Sequence, residues 1–216
     1  MQQRRAENRY FGTVLVERPD AAINPPFGYI ETTPAGLEQY GIEPETAAHF
    51  NVRAIRLPDG RSELVVPVHN HDGNLVGHTA LPPGQGGRGA KVIRDLDATR
   101  ELFNMHRVLE FCRLRYGNPE VVLVQTVLDC IKVHQASVET VVGLLDDSLS
   151  PVQENLLASY FGNVTIMMRP DRHGRKLAEA IAARLQRTVF VRVVSPPSEK
   201  LFSELSGDEI RDLLLS

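Results

Sequence analysis

Short polar segments follow three apolar runs in the second half of the chain, at residues 125–129, 146–147 and 169–174. Carboxylates in these segments could form one cluster made of Asp146, Asp147 and Asp171. Carboxylate oxygens are ligands that Mg²⁺ prefers, and a bound Mg²⁺ neutralises charge on a phosphate during its transfer. If the runs are neighbouring strands, the pattern predicts either a metal site or an acidic turn that caps a helix.

A second group of residues has the charge needed to bind phosphates. Four basic side chains lie in or shortly after the glycine-rich segment 82–89, namely Arg88, Lys91, Arg94 and Arg100. Basic side chains contact phosphates, and a glycine backbone allows a close approach. The segment contains no aromatic residue to stack on a base. The pattern therefore indicates phosphate contacts or, alternatively, a solvated loop with no partner.

The elements that must position the polar segments alternate along the chain. Strands are predicted at residues 121–127, 140–145, 164–168 and 189–194. Helices are predicted at residues 128–135, 150–161, 174–187 and 206–215. This alternation predicts a parallel α/β sheet with right-handed crossovers. Ligands bind such sheets outside the carboxyl ends of the strands, so the polar segments should meet at one edge.

The first half of the chain has a different pattern, typical of a small α+β unit. Short helices are expected from residue 34 and at residues 44–49, and a longer helix at residues 98–116. Turn sequences separate strands predicted at residues 51–56, 63–68 and 75–81, which predicts an antiparallel sheet. We therefore divide the chain into an extension (1–32), an α+β subdomain (33–116) and an α/β domain (117–216).

Several motifs, in this order and spacing, resemble bacterial-type DNA primases, in which a basic subdomain precedes a TOPRIM domain. Residues 121–125 lie where that family has an apolar strand ending in Glu-Gly. Residues 148–153 resemble its S-L-S-x-x-Q segment, and residues 170–175 match the second half of D-x-D-x-A-G-R. Residues 102–107 resemble an L-F-N-L-H-R segment. The resemblance covers about residues 33–216.

The resemblance also implies that the catalytic positions are degenerate. Gln125 takes the place of the family's Glu, Arg169 takes the place of the first Asp, and Asp171 is retained. Two unit charges 4 Å apart repel by about 4 kcal/mol at an effective dielectric of 20, so Arg169 should exclude Mg²⁺. We expect no catalytic residue and no cofactor here. Gln125 and Arg169 are then either solvated strand-end residues, or Arg169 replaces the metal and pairs with Asp171 or a phosphate.

Two histidines flank Asn70 in the sequence His69-Asn70-His71, and His78 lies close to them in the chain. We predict a turn with exposed histidines rather than a zinc site. In the sequence, no other histidine lies at the spacing of a metal ligand from His106, His134 or His173.

Composition narrows the class of protein. The 216 residues are 42% hydrophobic and carry a net charge of −3. These values exclude a wholly disordered chain and a basic protein that coats DNA without sequence preference. Residues 51–116 alone carry ten Lys and Arg against seven Asp and Glu, so a nucleic-acid site must be local. Two cysteines favour a reducing cytoplasm, and no apolar run approaches the ~20 residues of a membrane helix.

Three functions remain open. The first is a catalytically inactive primase-like protein that binds single-stranded DNA or replication proteins through residues 88–100, where the resemblance places a primase's template. The second is a protein-interaction scaffold without DNA affinity. The third is a nuclease or polymerase with a relocated carboxylate site at Asp146, Asp147 and Asp171, the one case in which Mg²⁺ is expected.

Overall fold

A computed structural model describes residues 29–30, 34–56, 62–81, 91–93, 96–114, 119–196, 200 and 202–215. It confirms the predicted α/β class, because the described residues form an antiparallel sheet followed by a parallel sheet with helices. The predicted extension at residues 1–32 lies outside the described residues, except for one short strand. Within the described ranges, no helix has the length and apolar character needed to cross a membrane.

The antiparallel sheet has five strands. They are β1 (Tyr29–Ile30), β2 (Arg53–Arg56), β3 (Ser62–His69), β4 (Leu75–Leu81) and β5 (Lys91–Ile93), hydrogen-bonded in that order. Its helices are α1 (Pro34–Glu38) and α2 (Pro44–His49). The three predicted strands are confirmed, and β1 and β5 are additional. Val65 and Val66 of β3 point to opposite faces and are both fully buried, so both faces of this strand are covered.

The helix predicted at residues 98–116 is wrong at its start. Helix α3 runs from Met105 to Arg113. Upstream of it, Phe103 forms an antiparallel bridge with Gly143, and Asn104 has a left-handed backbone with φ of 69°. The carbonyls of Ala98 and Glu101 accept hydrogen bonds from the Gln153 side chain. These tertiary contacts hold the segment extended or turned, and they override its helical pattern.

The parallel sheet has four strands and supports the candidate site. Its strands are β6 (Glu120–Val124), β7 (Val141–Gly143), β8 (Asn163–Met167) and β9 (Phe190–Val194). Its helices are α4 (Val127–Gln135), α5 (Pro151–Tyr160), α6 (Arg172–Leu185) and α7 (Gly207–Leu215), with a 3₁₀ turn at Phe202–Glu204. The spatial order is β7-β6-β8-β9, and all pairings are parallel.

Two hydrophobic clusters lie on the two faces of β6. Val122 and Val124 belong to one cluster, and Val121 and Leu123 to the other. The uninterrupted apolar run of β6 thus reflects burial on both faces. The first cluster also contains Val66 of the antiparallel sheet, so the two sheets share a core.

Candidate functional site

The predicted meeting of strand-end residues is found at the carboxyl edge of the parallel sheet. Gln125 directly follows β6, and Arg169 comes two residues after β8, its neighbour in the sheet. The Gln125 side-chain oxygen Oε1 accepts a hydrogen bond from the backbone N–H of Arg169 at 3.2 Å. The first and third polar segments are therefore joined directly.

Both of these side chains are buried. Gln125 is 6% exposed and Arg169 is 3% exposed. Neither is therefore a solvated strand-end residue, which was one of the two interpretations of the sequence. Arg169 keeps its positive charge at any ordinary pH, so a fixed cation is held inside the edge of the sheet.

A buried carboxylate, Asp129, lies in the first turn of α4 beside this cation. Asp129 is 1% exposed. Its backbone N–H donates to the Thr126 hydroxyl at 3.0 Å, and that hydroxyl donates to Oδ2 of Asp129 at 2.7 Å. The other carboxylate oxygen, Oδ1, has no hydrogen-bond partner among the described residues. Burial raises the pKa of Asp129 to about 6, while the Thr126 hydrogen bonds and the charge of Arg169 act to lower this pKa.

Asp129 is the member of this site that the sequence interpretation did not single out. A signal was present, since Thr126 and Asp129 have the spacing of a helix N-cap and its third residue. The predicted strand was extended to residue 127, however, which placed Thr126 inside the strand rather than at the start of α4. An error of three residues at the boundary therefore hid the cap.

The retained carboxylate, Asp171, has a structural use in the protein. It is the N-cap of α6, and its Oδ1 accepts the Gly174 N–H at 2.8 Å. A Cβ at position 174 would lie 2.8 Å from the backbone nitrogen and 2.9 Å from the carbonyl carbon of Arg169, and still closer to its oxygen. Glycine at position 174 is therefore required by the close approach of α6 to the end of β8.

The acidic pair after β7 differs from these buried residues. Asp146 and Asp147 are exposed, and Oδ1 of Asp146 accepts the N–H of Asp147 at 2.8 Å. The following helix is capped by Ser150, as predicted, through a reciprocal capping box with Gln153. No three His, Cys, Asp or Glu side chains gather as metal ligands in the described part of the chain. The structure therefore does not bring the two aspartates together with Asp171 as a relocated site.

The donor set at this edge does not suit Mg²⁺. The ion needs several oxygen ligands and favours carboxylates. Gln125 offers an amide oxygen that is already bonded to the backbone, Asp171 caps a helix, and Arg169 brings a positive charge. We therefore derive no step of a reaction through a metal at this edge.

The structure describes only part of the basic segment. The backbone of Lys91 lies in β5, at one edge of the antiparallel sheet. Arg100 is exposed in a turn, where its N–H donates to the Asp97 carbonyl at 3.0 Å. Arg88 and Arg94 lie outside the described residues. Their binding of phosphates stays a prediction from the sequence.

Comparison with protein families identifies the parallel sheet and its helices. Residues 119–195 match the model of the Toprim domain. This match spans β6 to β9, which are the strands that carry Gln125 and Arg169. Among curated proteins, none matches the sequence.

Solved structures match a larger part of the chain. The Aquifex aeolicus primase, with its zinc-binding and RNA polymerase domains, matches at 18% identity and a TM-score of 0.70, over 85% of this chain and 56% of that one. This chain thus spans little more than half of that structure. The DnaG primase catalytic domain bound to single-stranded DNA matches at 15% identity and a TM-score of 0.62, over 82% and 72% of the two chains.

A third match comes from a complex with a polymerase. It is a structure of bacteriophage T7 lagging-strand DNA polymerase interacting with primase domains bound to an RNA/DNA hybrid and dTTP. The match has 19% identity and a TM-score of 0.59, over 87% of this chain and 89% of that one. At these identities the matches establish the fold, which is that of a primase catalytic core.

Proposed function

Since the chain is a primase-like protein with a Toprim domain at residues 119–195, we propose that it is a catalytically inactive member of that group. We propose further that it binds single-stranded DNA, or a replication complex, in the cytoplasm. The observation that carries the proposal is the burial of Arg169 at the edge where a Toprim metal site would need carboxylates.

The geometry around Arg169 supports the loss of catalysis. A general acid or base must exchange a proton, and the Gln125 amide has no such proton at ordinary pH. A divalent cation at this edge would be repelled by the Arg169 guanidinium, with less screening than in water because the side chain is buried. Asp129, a buried carboxylate close to this edge, interacts with Arg169 and with Thr126.

Two observations support DNA binding without catalysis. One of the matched structures is a primase catalytic domain bound to single-stranded DNA, so this fold accommodates that ligand. In the present chain the excess of positive charge falls in residues 51–116 rather than in the Toprim domain. Electrostatic contact with phosphates needs no metal and no base recognition. A primase-like fold that has lost its metal ligands can therefore keep this property.

Anisotropy of a fluorescent single-stranded oligonucleotide tests the DNA-binding part, with the protein titrated at several salt concentrations. The test variant is Lys91→Ala combined with Arg94→Ala. Because each lost phosphate contact lowers the slope of log affinity against log salt by about 1, the double variant should lower the slope by about 2. A matched control is Arg187→Ala, an exposed arginine just after α6, for which the slope should stay unchanged.

Binding that is equally strong in the double variant would contradict the role of residues 88–100. An absence of binding at low salt would contradict DNA binding altogether. Either result is independent of the loss of catalysis, which is tested separately with Mg²⁺.

A second candidate function is a protein-interaction scaffold, and one observation favours it. Strand β9 forms one edge of the parallel sheet, and it exposes 70% of Phe190 and 48% of Val193. Large exposed apolar side chains on an edge strand are a common basis for pairing with another chain. This candidate predicts self-association or a protein partner, weakened by Phe190→Ser, together with no affinity for the oligonucleotide.

A further inference from the structure

Four of the seven histidines form two pairs of contacting rings, one between α2 and α4 and one between β3 and α3. His49 ends α2 and His134 lies in α4; their rings stack at 4.3 Å between centroids, with an interplanar angle of 23°. His69 ends β3 and His106 lies in α3; their ring centroids are 4.7 Å apart. The turn histidines that were predicted to be exposed, His69 and His71, are half-buried, and the nearby His78 of β4 is 2% exposed. His106, for which no exposure was predicted, is 6% exposed.

The first pair packs against Phe50, and Arg107, the chain neighbour of His106, lies over the same ring. The ring of Phe50 is 1% exposed and makes edge contacts with His49 at 4.9 Å and with His134 at 5.0 Å. The Arg107 guanidinium lies 5.7 Å from the centroid of Phe50, and its Nη2 donates to the His49 carbonyl at 3.1 Å. We call His49, His69, His106 and His134 the histidine cluster. In each pair, one ring belongs to α2 or β3 and the other belongs to a helix packed on the parallel sheet, α4 or α3.

The charged groups that act on the histidine cluster are mostly positive. Arg107 lies next to His106 in α3 and influences both His106 and His134. The acidic partner is Glu139, whose Oε2 lies 3.6 Å from Nδ1 of His134 and is about half exposed. Among the described residues, the charged or titratable groups that act on His106 are Arg107, His69 and His49, and none of them is a carboxylate. Protonation of the cluster would therefore add positive charges beside the Arg107 guanidinium, which is always charged.

Burial lowers the pKa of two members of the cluster, His106 and His134. It lowers the pKa of His106 to about 3 from the ordinary 6.5, and Arg107, His69 and His49 act in the same direction. Burial also lowers the pKa of His134, while Glu139 opposes that change. Nδ1 of His106 has no hydrogen-bond partner among the described residues, so no acceptor there favours a protonated ring.

We propose that the histidine cluster is a pH-sensitive junction, which holds α2 and β3 against α3 and α4 while its rings are neutral and loosens when they are protonated. Stacked neutral imidazoles pack as ordinary aromatic rings. Two imidazolium rings at the same distance would repel each other and would have to be hydrated. Acid should therefore separate α2 and β3 from α3 and α4 before it unfolds the parallel sheet.

The direction of the pH effect follows from the lowered pKa of His106. A group whose folded pKa lies below its unfolded value stabilises the fold fully above the unfolded pKa of 6.5, and this is lost as the pH falls through 6.5 towards about 3. From His106 alone, the ratio of folded to unfolded protein should be roughly 30-fold lower at pH 5 than at pH 8. His134 should add to this fall.

Thermal unfolding, followed by circular dichroism from pH 8 to pH 5, tests the proposal. The variants are His106→Gln and His134→Phe, which keep a side chain of similar size but do not titrate. The matched control is His173→Asn, because His173 is an exposed histidine of α6 outside the cluster. The wild type and the control should lose at least about 5 °C more in Tm over this range than His106→Gln does. If His106→Gln does not fold, His134→Phe gives the same comparison.

Amide hydrogen exchange shows which elements lose their protection when the pH falls. At pH 5, after correction for intrinsic rates, protection should fall in α2 and α3 of the wild type while that of β6 and β8 is retained. The His106→Gln variant should keep protection in α2 and α3. Equal dependence of Tm on pH in the wild type and both cluster variants would overturn the proposal. So would a loss of protection at pH 5 that begins in α6 rather than at the junction.

Discussion

Two sets of polar residues at the carboxyl edge of the parallel sheet differ in environment. Gln125, Asp129 and Arg169, which follow β6 and β8, are buried. Arg169 bonds to Gln125 through its backbone N–H and interacts electrostatically with Asp129. Asp146 and Asp147, which follow β7, are exposed and bond only locally as far as the described contacts show. Within the buried set, Gln125 and Arg169 are the positions that the sequence resemblance aligns with catalytic residues of primases. The exposed set resembles an ordinary loop.

This difference predicts which residues of the edge contribute to stability. The residues after β6 and β8 are now part of the protein's packing, so their substitution should change stability. The residues after β7 are exposed carboxylates that bond only locally among the described residues, so their substitution should change little. A relocated metal site would reverse this ranking, because the exposed aspartates would then respond to Mg²⁺.

The largest effect is expected from Gly174→Ala. The new Cβ would lie less than 3 Å from backbone atoms of Arg169, and neither segment can move without disturbing β8 or α6. We expect a loss of at least about 4 kcal/mol in the free energy of unfolding, measured by urea denaturation. The matched control is Gly207→Ala at the start of α7, whose Cβ would meet the flexible Arg211 side chain at 3.4 Å. A Gly174→Ala protein as stable as this control would contradict the close packing at the edge.

The next largest effect is expected from Arg169→Ala. Removing the cation leaves Asp129 buried beside a cavity, which should cost about 3 kcal/mol at pH 8. The pKa of Asp129 would rise above its present value of about 6. Since a group with a raised folded pKa destabilises the fold only where it must ionise, the loss should shrink at pH 5. Denaturation of the variant and of Arg187→Ala at both pH values gives the comparison, and a loss independent of pH would argue against the Asp129–Arg169 interaction.

A smaller effect is expected from Asp171→Ala. The variant removes the N-cap of α6 and should cost about 1 kcal/mol. Asp171→Asn keeps a capping oxygen and should cost only a few tenths of that. Both can be measured by denaturation with and without Mg²⁺. If Mg²⁺ stabilised the wild type but not Asp171→Asn, this residue would be a metal ligand rather than only a cap.

The smallest effect is expected from Asp146→Asn combined with Asp147→Asn. Both side chains are exposed, so the free energy of unfolding should change by no more than about 0.5 kcal/mol. Stabilisation by Mg²⁺ that disappears in this double variant would support the relocated carboxylate site and would break the comparison between the two sets.

The sequence predicted those parts of the fold that depend on local pattern. The apolar run of β6 predicted a strand buried on both faces, and the Ser150 cap predicted the start of α5. The start of α3 was missed because residues upstream are held by Gln153 and by the bridge to Gly143. Such contacts join residues distant in the chain, so no local pattern reveals them.

The site was predictable in its position but not in its environment. Gln125 and Arg169 could be placed at one sheet edge from strand order and resemblance alone. Their burial, and the partnership of Arg169 with Asp129, depend on how the helices close over the edge. The pairing of His106 with His69 likewise joins α3 to the end of β3, elements that share no motif.

The most direct test of the central claim is oligonucleotide binding and integrity with and without Mg²⁺, for the wild type and Asp171→Asn. We predict that the wild type and Asp171→Asn have the same affinity and the same salt slope as each other in each Mg²⁺ condition, because Mg²⁺ then acts only as a counterion of the DNA. We also predict that the oligonucleotide is neither extended nor cleaved when nucleoside triphosphates are present. Mg²⁺-dependent extension or cleavage in the wild type that is lost in Asp171→Asn would contradict the account, because the edge would then still hold a working metal site.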